Sequence, residues 1–171
     1  MVRAQCGDRE ALELLLRGVQ PPLHRYVARI IGPTDADDVV QDVLVTIARK
    51  LAWLAEPRVF RAWTFRIASR AAFTYLRRHR QRNEDPLGED AAGAVPAAPP
   101  PDGERLRELL DSPALSPASR AVLLLHFQEE MPLAEVAAVL EIPLGTVKSR
   151  LAFGLKTLRR EVGRSGDHNG R

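Results

Sequence analysis

The sequence predicts an all-α fold of two small helical domains, and three observations carry that prediction. Apolar residues recur at helical spacing through most of the chain, no segment alternates apolar and polar residues as a strand would, and one segment is too rich in proline to belong to either domain. That segment, residues 83–103, holds five prolines and, apart from Val95, neither an aromatic nor a β-branched residue. Too little apolar surface is available there to offset the entropy of ordering, so it reads as an extended tether. The expected domains are residues 1–82 and 104–162, with residues 163–171 a flexible tail. A length of 171 residues accommodates two such units.

The elements follow in order. Two helices are expected at Asp8–Arg17 and Pro22–Ile31, divided by Gln20-Pro21-Pro22 and closed by Gly32-Pro33. Thr34, with Asp37 three residues on, forms a capping-box arrangement. It would open an amphipathic helix of about 20 residues in which Val39, Val40, Val43, Leu44, Ile47, Leu51 and Leu54 repeat on one side. A fourth helix is expected from about Phe60 to Arg80. Beyond the tether, Ser116 as N-cap and Pro117 at the first helical position open a helix over Ala118–Gln128. A short helix Leu133–Leu140, a tight turn at Glu141-Ile142-Pro143 and a last helix from Leu144 to about Val162 complete the chain.

Charge is unevenly distributed. Residues 1–82 hold 15 Lys+Arg against 8 Asp+Glu, residues 83–103 hold 5 acids and no base, and residues 104–171 hold 10 bases against 9 acids. The first unit is therefore basic, which suits a polyanionic partner. A single cysteine, Cys6, excludes an intramolecular disulfide and a multi-cysteine zinc site, and the terminus around it is expected to be flexible. The apolar run Ala121–Leu125 is far shorter than the ~20 residues of a membrane span, and no secretory signal opens the chain. These features predict a soluble, cytoplasmic protein with no membrane span.

Three segments suggest function. From Pro57 to Asn83 there are eight arginines, no acid and five of the nine aromatics. On a helical projection Phe65, Ala68, Ala72 and Leu76 face inward, while Arg66, Arg70, Phe73 and Arg77 form a stripe with Trp63 at its edge. Arginines pair with phosphates and exposed aromatics stack on unpaired bases, so the stripe suits nucleic acid with bases out of the duplex. A solvated face or an acidic protein partner are the alternatives. Asp35, Asp37, Asp38 and Asp42 crowd the start of the long helix without a base nearby. The helix dipole accounts for the first three, whereas Asp42 and Gln41, further in on the side of Asp38, suit docking to a basic protein. No metal site is expected there.

The two C-terminal helices have helix-turn-helix proportions. Leu144, Val147, Leu151, Gly154, Leu155 and Leu158 are expected inside. Gly145, Ser149, Ala152, Phe153, Lys156 and Arg160 lie outside, flanked by Thr146, Lys148 and Arg150. Small residues between bases permit entry into a major groove. The histidines, His24, His79, His126 and His168, are scattered, and no phosphate-cradling loop or nucleophile motif appears, which argues against an enzyme.

Three stretches together resemble bacterial RNA polymerase sigma factors of the extracytoplasmic-function (ECF) group of the sigma-70 family. They are residues 37–43 (DDVVQDV), residues 60–68 (FRAWTFRIA) with Tyr75-Leu76-Arg77-Arg78, and residues 142–151 (IPLGTVKSRL). The resemblance implies a sigma-2-type domain, a sigma-4-type domain and a promoter-specificity subunit that works with core RNA polymerase and promoter DNA. It requires no cofactor and no catalytic residue, and it implies an anti-sigma factor as a further partner. By position, Asp35, Asp38, Gln41 and Asp42 would bind polymerase. Arg58, Arg61, Trp63, Arg66, Arg70, Phe73, Tyr75, Arg77 and Arg78 would bind the −10 element. Thr146, Lys148, Ser149, Arg150, Ala152, Phe153 and Lys156 would bind the −35 element. The family usually has asparagine at Arg70, aspartate at Thr74 and arginines at Phe153 and Leu155, so both elements are expected to depart from the usual sequences. The competing expectation is a stand-alone helix-turn-helix regulator with an N-terminal sensor domain, which would show a ligand pocket in place of the arginine stripe.

Overall fold

The computed structural model describes residues 1–83 and 109–166, with side chains placed for residues 1–79 and 109–163. The expected tether, from residue 84 on, and the expected tail from residue 167 lie outside the described residues. Every regular element among the described residues is helical. The chain divides into two compact units, Met1–Pro86 and Leu87–Arg171.

The first unit contains α1 (Val2–Gln5), α2 (Arg9–Ile31), α3 (Ala36–Lys50) and α4 (Phe60–Asn83), with two 3-10 turns, Leu51–Trp53 and Pro57–Val59, between α3 and α4. Helices α2, α3 and α4 each pack against the other two. Their shared core is Leu23, Tyr26, Val27 and Ile30 from α2, Val40, Val43 and Ile47 from α3, Leu51, and Phe65, Ala68 and Ala72 from α4. These positions keep the three- and four-residue steps of a single helical face. At the centre the Tyr26 and Phe65 rings meet edge to face with centroids 5.4 Å apart.

Several expectations are corrected here. The predicted break at Pro21-Pro22 is absent, and α2 runs through both prolines. Two prolines deprive the carbonyls of Arg17 and Gly18 of their helical donors. Both residues are exposed, so water can serve those carbonyls. Burial of Leu23, Tyr26, Val27 and Ile30 immediately afterwards favours continuing the same helix. Thr34 is not the N-cap. Gly32, at φ +98°, ends α2, the Ala36 N–H donates to the Pro33 carbonyl at 3.4 Å, and α3 starts at Ala36 beside Asp35. The expected 20-residue helix is 15 residues long and tightens into the Leu51–Trp53 turn. The N-terminus, expected to be flexible, forms α1. Leu76 is half-buried rather than an inward core residue.

The second unit contains α5 (Pro117–Leu123), continued by a π turn over Leu124–Gln128, then α6 (Leu133–Leu140) and α7 (Leu144–Gly166). The Ser116 side chain accepts from the Ser119 N–H and Pro117 occupies the first turn, as the sequence predicts. The core comprises Leu110, Leu115, Ala121 to Leu125, Met131, Val136, Val139, Val147, Leu155 and Leu158. Leu144, expected inside, is 40% exposed. It opens α7 just beyond the turn, before the helix meets its neighbours. Among the described residues no helix is long and apolar enough to cross a membrane.

Candidate polymerase and nucleic-acid interfaces

Helix α3 buries Val40, Val43 and Ile47 and thereby turns Asp38, Gln41 and Asp42 to solvent. The same geometry places Val45, 44% exposed, and Arg49 on that face. The sequence reading missed Val45, although its step of four from Gln41 and three from Asp42 would have found it. An exposed apolar residue beside carboxylates is typical of a protein-docking surface. Asp35 flanks the helix half-buried and makes no side-chain cap. The acidic start does have a nitrogen partner, contrary to expectation. His24 Nε2 of α2 lies 3.0 Å from Asp37 Oδ1 and can donate to it, so Asp37 is tied to α2 while Asp38 and Asp42 point away. No sequence pattern could reveal that pair, because the contact spans two helices.

Helix α4 carries the basic–aromatic set. Its inner side is fixed by Phe65, Ala68 and Ala72 and by a buried hydrogen-bond chain. Ser69 Oγ donates to the Phe65 carbonyl at 2.8 Å, which leaves Ser69 Oγ to accept from Tyr26 Oη, also at 2.8 Å. Thr64, likewise buried, turns its hydroxyl onto the Arg61 carbonyl at 2.8 Å. With these polar groups satisfied, α4 lies firmly on α2 and holds its other side outward.

On that outer side Arg66, Arg70, Phe73 and Arg77 share one stripe, with Trp63 at its edge. Arg70 and Arg77 are exposed, whereas Arg66, Phe73 and Trp63 are half-buried, Trp63 resting against Phe60 with ring centroids 6.1 Å apart. The other predicted residues fall elsewhere around the helix. The Arg61 guanidinium lies over the Phe65 ring at 5.9 Å. Tyr75 meets His79 edge to face at 4.8 Å. Arg78 is exposed off the stripe, and Arg58 is exposed in the preceding turn.

In the second unit, three residues join α6 to α7. Glu141 takes a left-handed conformation at φ +56°, and the Ile142 N–H donates to the Ala137 carbonyl at 3.1 Å. The Val147 N–H donates to the Pro143 carbonyl at 3.1 Å, starting α7. Val147, Gly154, Leu155 and Leu158 are buried, as expected for Leu155 on the inner side. Gly154 permits a close approach, since a Cβ there would stand 2.8 Å from Leu123 Cδ1 of α5. Outside, Thr146, Ser149, Arg150, Ala152 and Phe153 are half-buried, and Lys148 and Lys156 are exposed. Ser149 Oγ donates to the Thr146 carbonyl at 3.0 Å, which leaves its lone pairs available to an outside donor. His126 serves the turn, its Nδ1 donating to the Met131 carbonyl at 2.9 Å.

Residues 15–82 match the family model for sigma-70 region 2, and residues 104–158 match that for sigma-70 region 4. Together these matches take in more than two thirds of the chain, in the order in which the two units occur. The chain belongs to the sigma-70 family of RNA polymerase sigma factors. It is similar to the ECF RNA polymerase sigma-E factor of Haemophilus influenzae, 28% identical over 162 residues, covering 87% of this chain and 86% of that protein. The sigma-E factor of Escherichia coli K12 is also 28% identical, over 87% of this chain and 85% of its own length. Among solved structures, CnrH in complex with the cytosolic domain of CnrY is 27% identical with a TM-score of 0.67, covering 95% of this chain and 94% of that one. The Bartonella quintana sigma factor RpoE, solved with the anti-sigma factor NepR, shares the fold at a TM-score of 0.69 and 21% identity, covering 90% of this chain and 98% of that one. This sigma factor is thus a promoter-specificity subunit of RNA polymerase, of the ECF type, with a helix-turn-helix for DNA.

Proposed function

We propose that the sigma factor divides its work among three faces: α3 docks core RNA polymerase, α4 engages opened −10 DNA, and α7 reads the −35 element as duplex. One observation carries this reading, the segregation of charge within the first unit. Asp38 and Asp42 are exposed on α3, while between residues 43 and 83 ten Lys+Arg stand against the single acid Glu56. A carboxylate face attracts a basic protein surface and repels DNA, and an arginine face does the reverse. Asp35, Asp38, Gln41 and Asp42 form the polymerase contact, extended by Val45.

Arg66, Arg70, Phe73 and Arg77, with Trp63, form the centre of the −10 surface, and Arg58, Arg61, Tyr75 and Arg78 its margins. Guanidinium groups hold the strand's phosphates while the half-buried rings offer apolar edges to displaced bases. In α7, Lys148, Arg150 and Lys156 neutralise phosphates, and Thr146, Ser149, Ala152 and Phe153 meet base edges. Phe153 suits a thymine methyl better than a guanine edge. The chain acts without chemistry of its own, in the cytoplasm, and an anti-sigma protein covering the docking surfaces regulates it, as the titles of its structural relatives suggest for those proteins.

The test is charge reversal. Asp38→Arg with Asp42→Arg weakens binding to core RNA polymerase by at least tenfold, while binding of −35 duplex by the same protein is unchanged. Unaltered polymerase affinity removes the docking assignment.

A further inference from the structure

The connection between α3 and α4 carries an arrangement that none of these assignments uses. Trp53 is 79% exposed, the most exposed of the large apolar side chains among the described residues. Its turn is nevertheless held firmly. The Gln5 side-chain amide in α1 donates through Nε2 to the Leu51 carbonyl at 3.1 Å and to the Leu54 carbonyl at 2.7 Å. One nitrogen therefore bridges the two ends of the turn that bears Trp53, whose own backbone closure is the Leu54 N–H to Leu51 carbonyl bond at 3.1 Å.

The N-terminal segment is itself tied in place. Ala4 is buried, and the Asp8 N–H donates to the Arg3 carbonyl at 3.0 Å. The Arg3 guanidinium binds Asp8 Oδ2 at 2.6 Å, and the other Asp8 oxygen caps α2 by accepting from the Ala11 N–H at 3.0 Å. These bonds hold the Asp8 carboxyl below its usual pKa, the Ala11 N–H contributing most. Gln5 thus reaches the turn from a fixed base on α2.

A fully hydrated indole on a braced turn is unfavourable unless something covers it. The surroundings indicate what. Arg49 and Lys50 precede the indole and Arg58 follows it, all exposed, with Glu56 the only acid in the segment. A flat aromatic ring among cations fits a polyanion that offers planar bases, rather than a basic protein surface. We propose that Trp53 is a stacking platform for one unpaired base of the promoter's opened strand, and that Gln5 is the positioning residue that aims it. The inference rests on the reading of α4 as the −10 surface and adds to it a residue outside that helix.

The experiment uses reconstituted holoenzyme on a recognised promoter and on a set of templates in which single nontemplate bases around the −10 element are replaced by abasic sites. Open-complex formation is followed for wild type, Trp53→Ala, Gln5→Ala and Gln5→Glu, the last keeping size while losing the donor. Stacking on one base predicts that Trp53→Ala lowers opening by roughly 5- to 100-fold. At one abasic position its cost and the abasic cost do not add, whereas at every other position they do. Both Gln5 variants give a smaller loss with the same positional signature, which a mere loss of stability would not produce.

Additive losses at every position overturn the proposal, as does a Trp53→Ala defect in polymerase affinity instead of opening. Arg66→Ala/Arg70→Ala/Arg77→Ala is measured alongside. If that variant opens normally, the −10 reading itself has failed; if it is defective while Trp53→Ala behaves as wild type, only the present inference has.

Discussion

The buried chain Tyr26–Ser69–Phe65 allows a sharp test of how α4 is held to α2. Ser69 Oγ donates to the Phe65 carbonyl and accepts from Tyr26 Oη, both at 2.8 Å, and Tyr26 is fully buried. Ser69→Ala removes the acceptor and leaves the Tyr26 hydroxyl in an apolar interior, at a cost of about 1–3 kcal/mol. The better helix propensity of alanine returns at most about 0.5 kcal/mol of that. Tyr26→Phe deletes the hydroxyl and preserves the ring and its edge-to-face contact with Phe65, while Ser69 keeps its own donor bond. Its cost should stay near about 0.5–1.5 kcal/mol, the net worth of one hydrogen bond.

The double variant strands no buried donor, so it should be more stable than Ser69→Ala alone. Both tryptophans, Trp53 and Trp63, lie in the first unit, so urea unfolding of the full chain followed by tryptophan fluorescence reports that unit alone. With m near about 1 kcal/mol/M for a unit of this size, the expected midpoint shifts are about 1–2 M for Ser69→Ala and under about 1.5 M for Tyr26→Phe. If Tyr26→Phe proves the more damaging, or the two costs simply add, the assigned donor direction and the burial argument are both wrong.

Two further outcomes follow from the same packing. Burial pushes the Tyr26 hydroxyl above its usual pKa of 10.0, with the Ser69 hydrogen bond only partly opposing it. The folded unit therefore keeps a proton that the unfolded chain releases, and stability that is intact below pH 10 declines as the pH rises beyond it. Tyr26→Phe should flatten that alkaline decline in the same fluorescence assay; an identical decline in both proteins contradicts the assignment. In the second unit, Gly154→Val places side-chain atoms where a Cβ alone would already be 2.8 Å from Leu123 Cδ1, against a fully buried leucine. Overpacking of about 1–3 kcal/mol should lower amide-exchange protection in α5 and α7, leave α2 to α4 unchanged, and weaken −35 duplex binding. Unchanged protection means that α5 and α7 do not approach as closely as described.

What the sequence could reveal was whatever depends on local period. Val40, Val43, Ile47 and Leu51 fall at helical steps and are buried as that spacing predicts, and Ser116-Pro117 opens α5. The stripe Arg66, Arg70, Phe73 and Arg77 was legible for the same reason. What failed was decided by tertiary contact. Pro21 and Pro22 read as a break because local rules weigh their missing donors and ignore the buried face that follows. Thr34 read as a cap because the pattern omits the backbone bond from Ala36 to Pro33, which shifts the helix start. His24 with Asp37, and Gln5 with Leu51 and Leu54, join residues far apart in the chain, so no window of sequence contains them. Val45 stands between these cases, its place on the α3 face readable from spacing once that face was taken as a contact.

The division of labour among α3, α4 and α7 is tested most directly by permanganate reactivity of the −10 region in promoter complexes of the Arg66→Ala/Arg70→Ala/Arg77→Ala holoenzyme. The account predicts that strand opening falls at least tenfold while polymerase affinity and protection of the −35 duplex stay at wild-type levels. Normal opening by the triple variant, or loss of all three properties together, would contradict it.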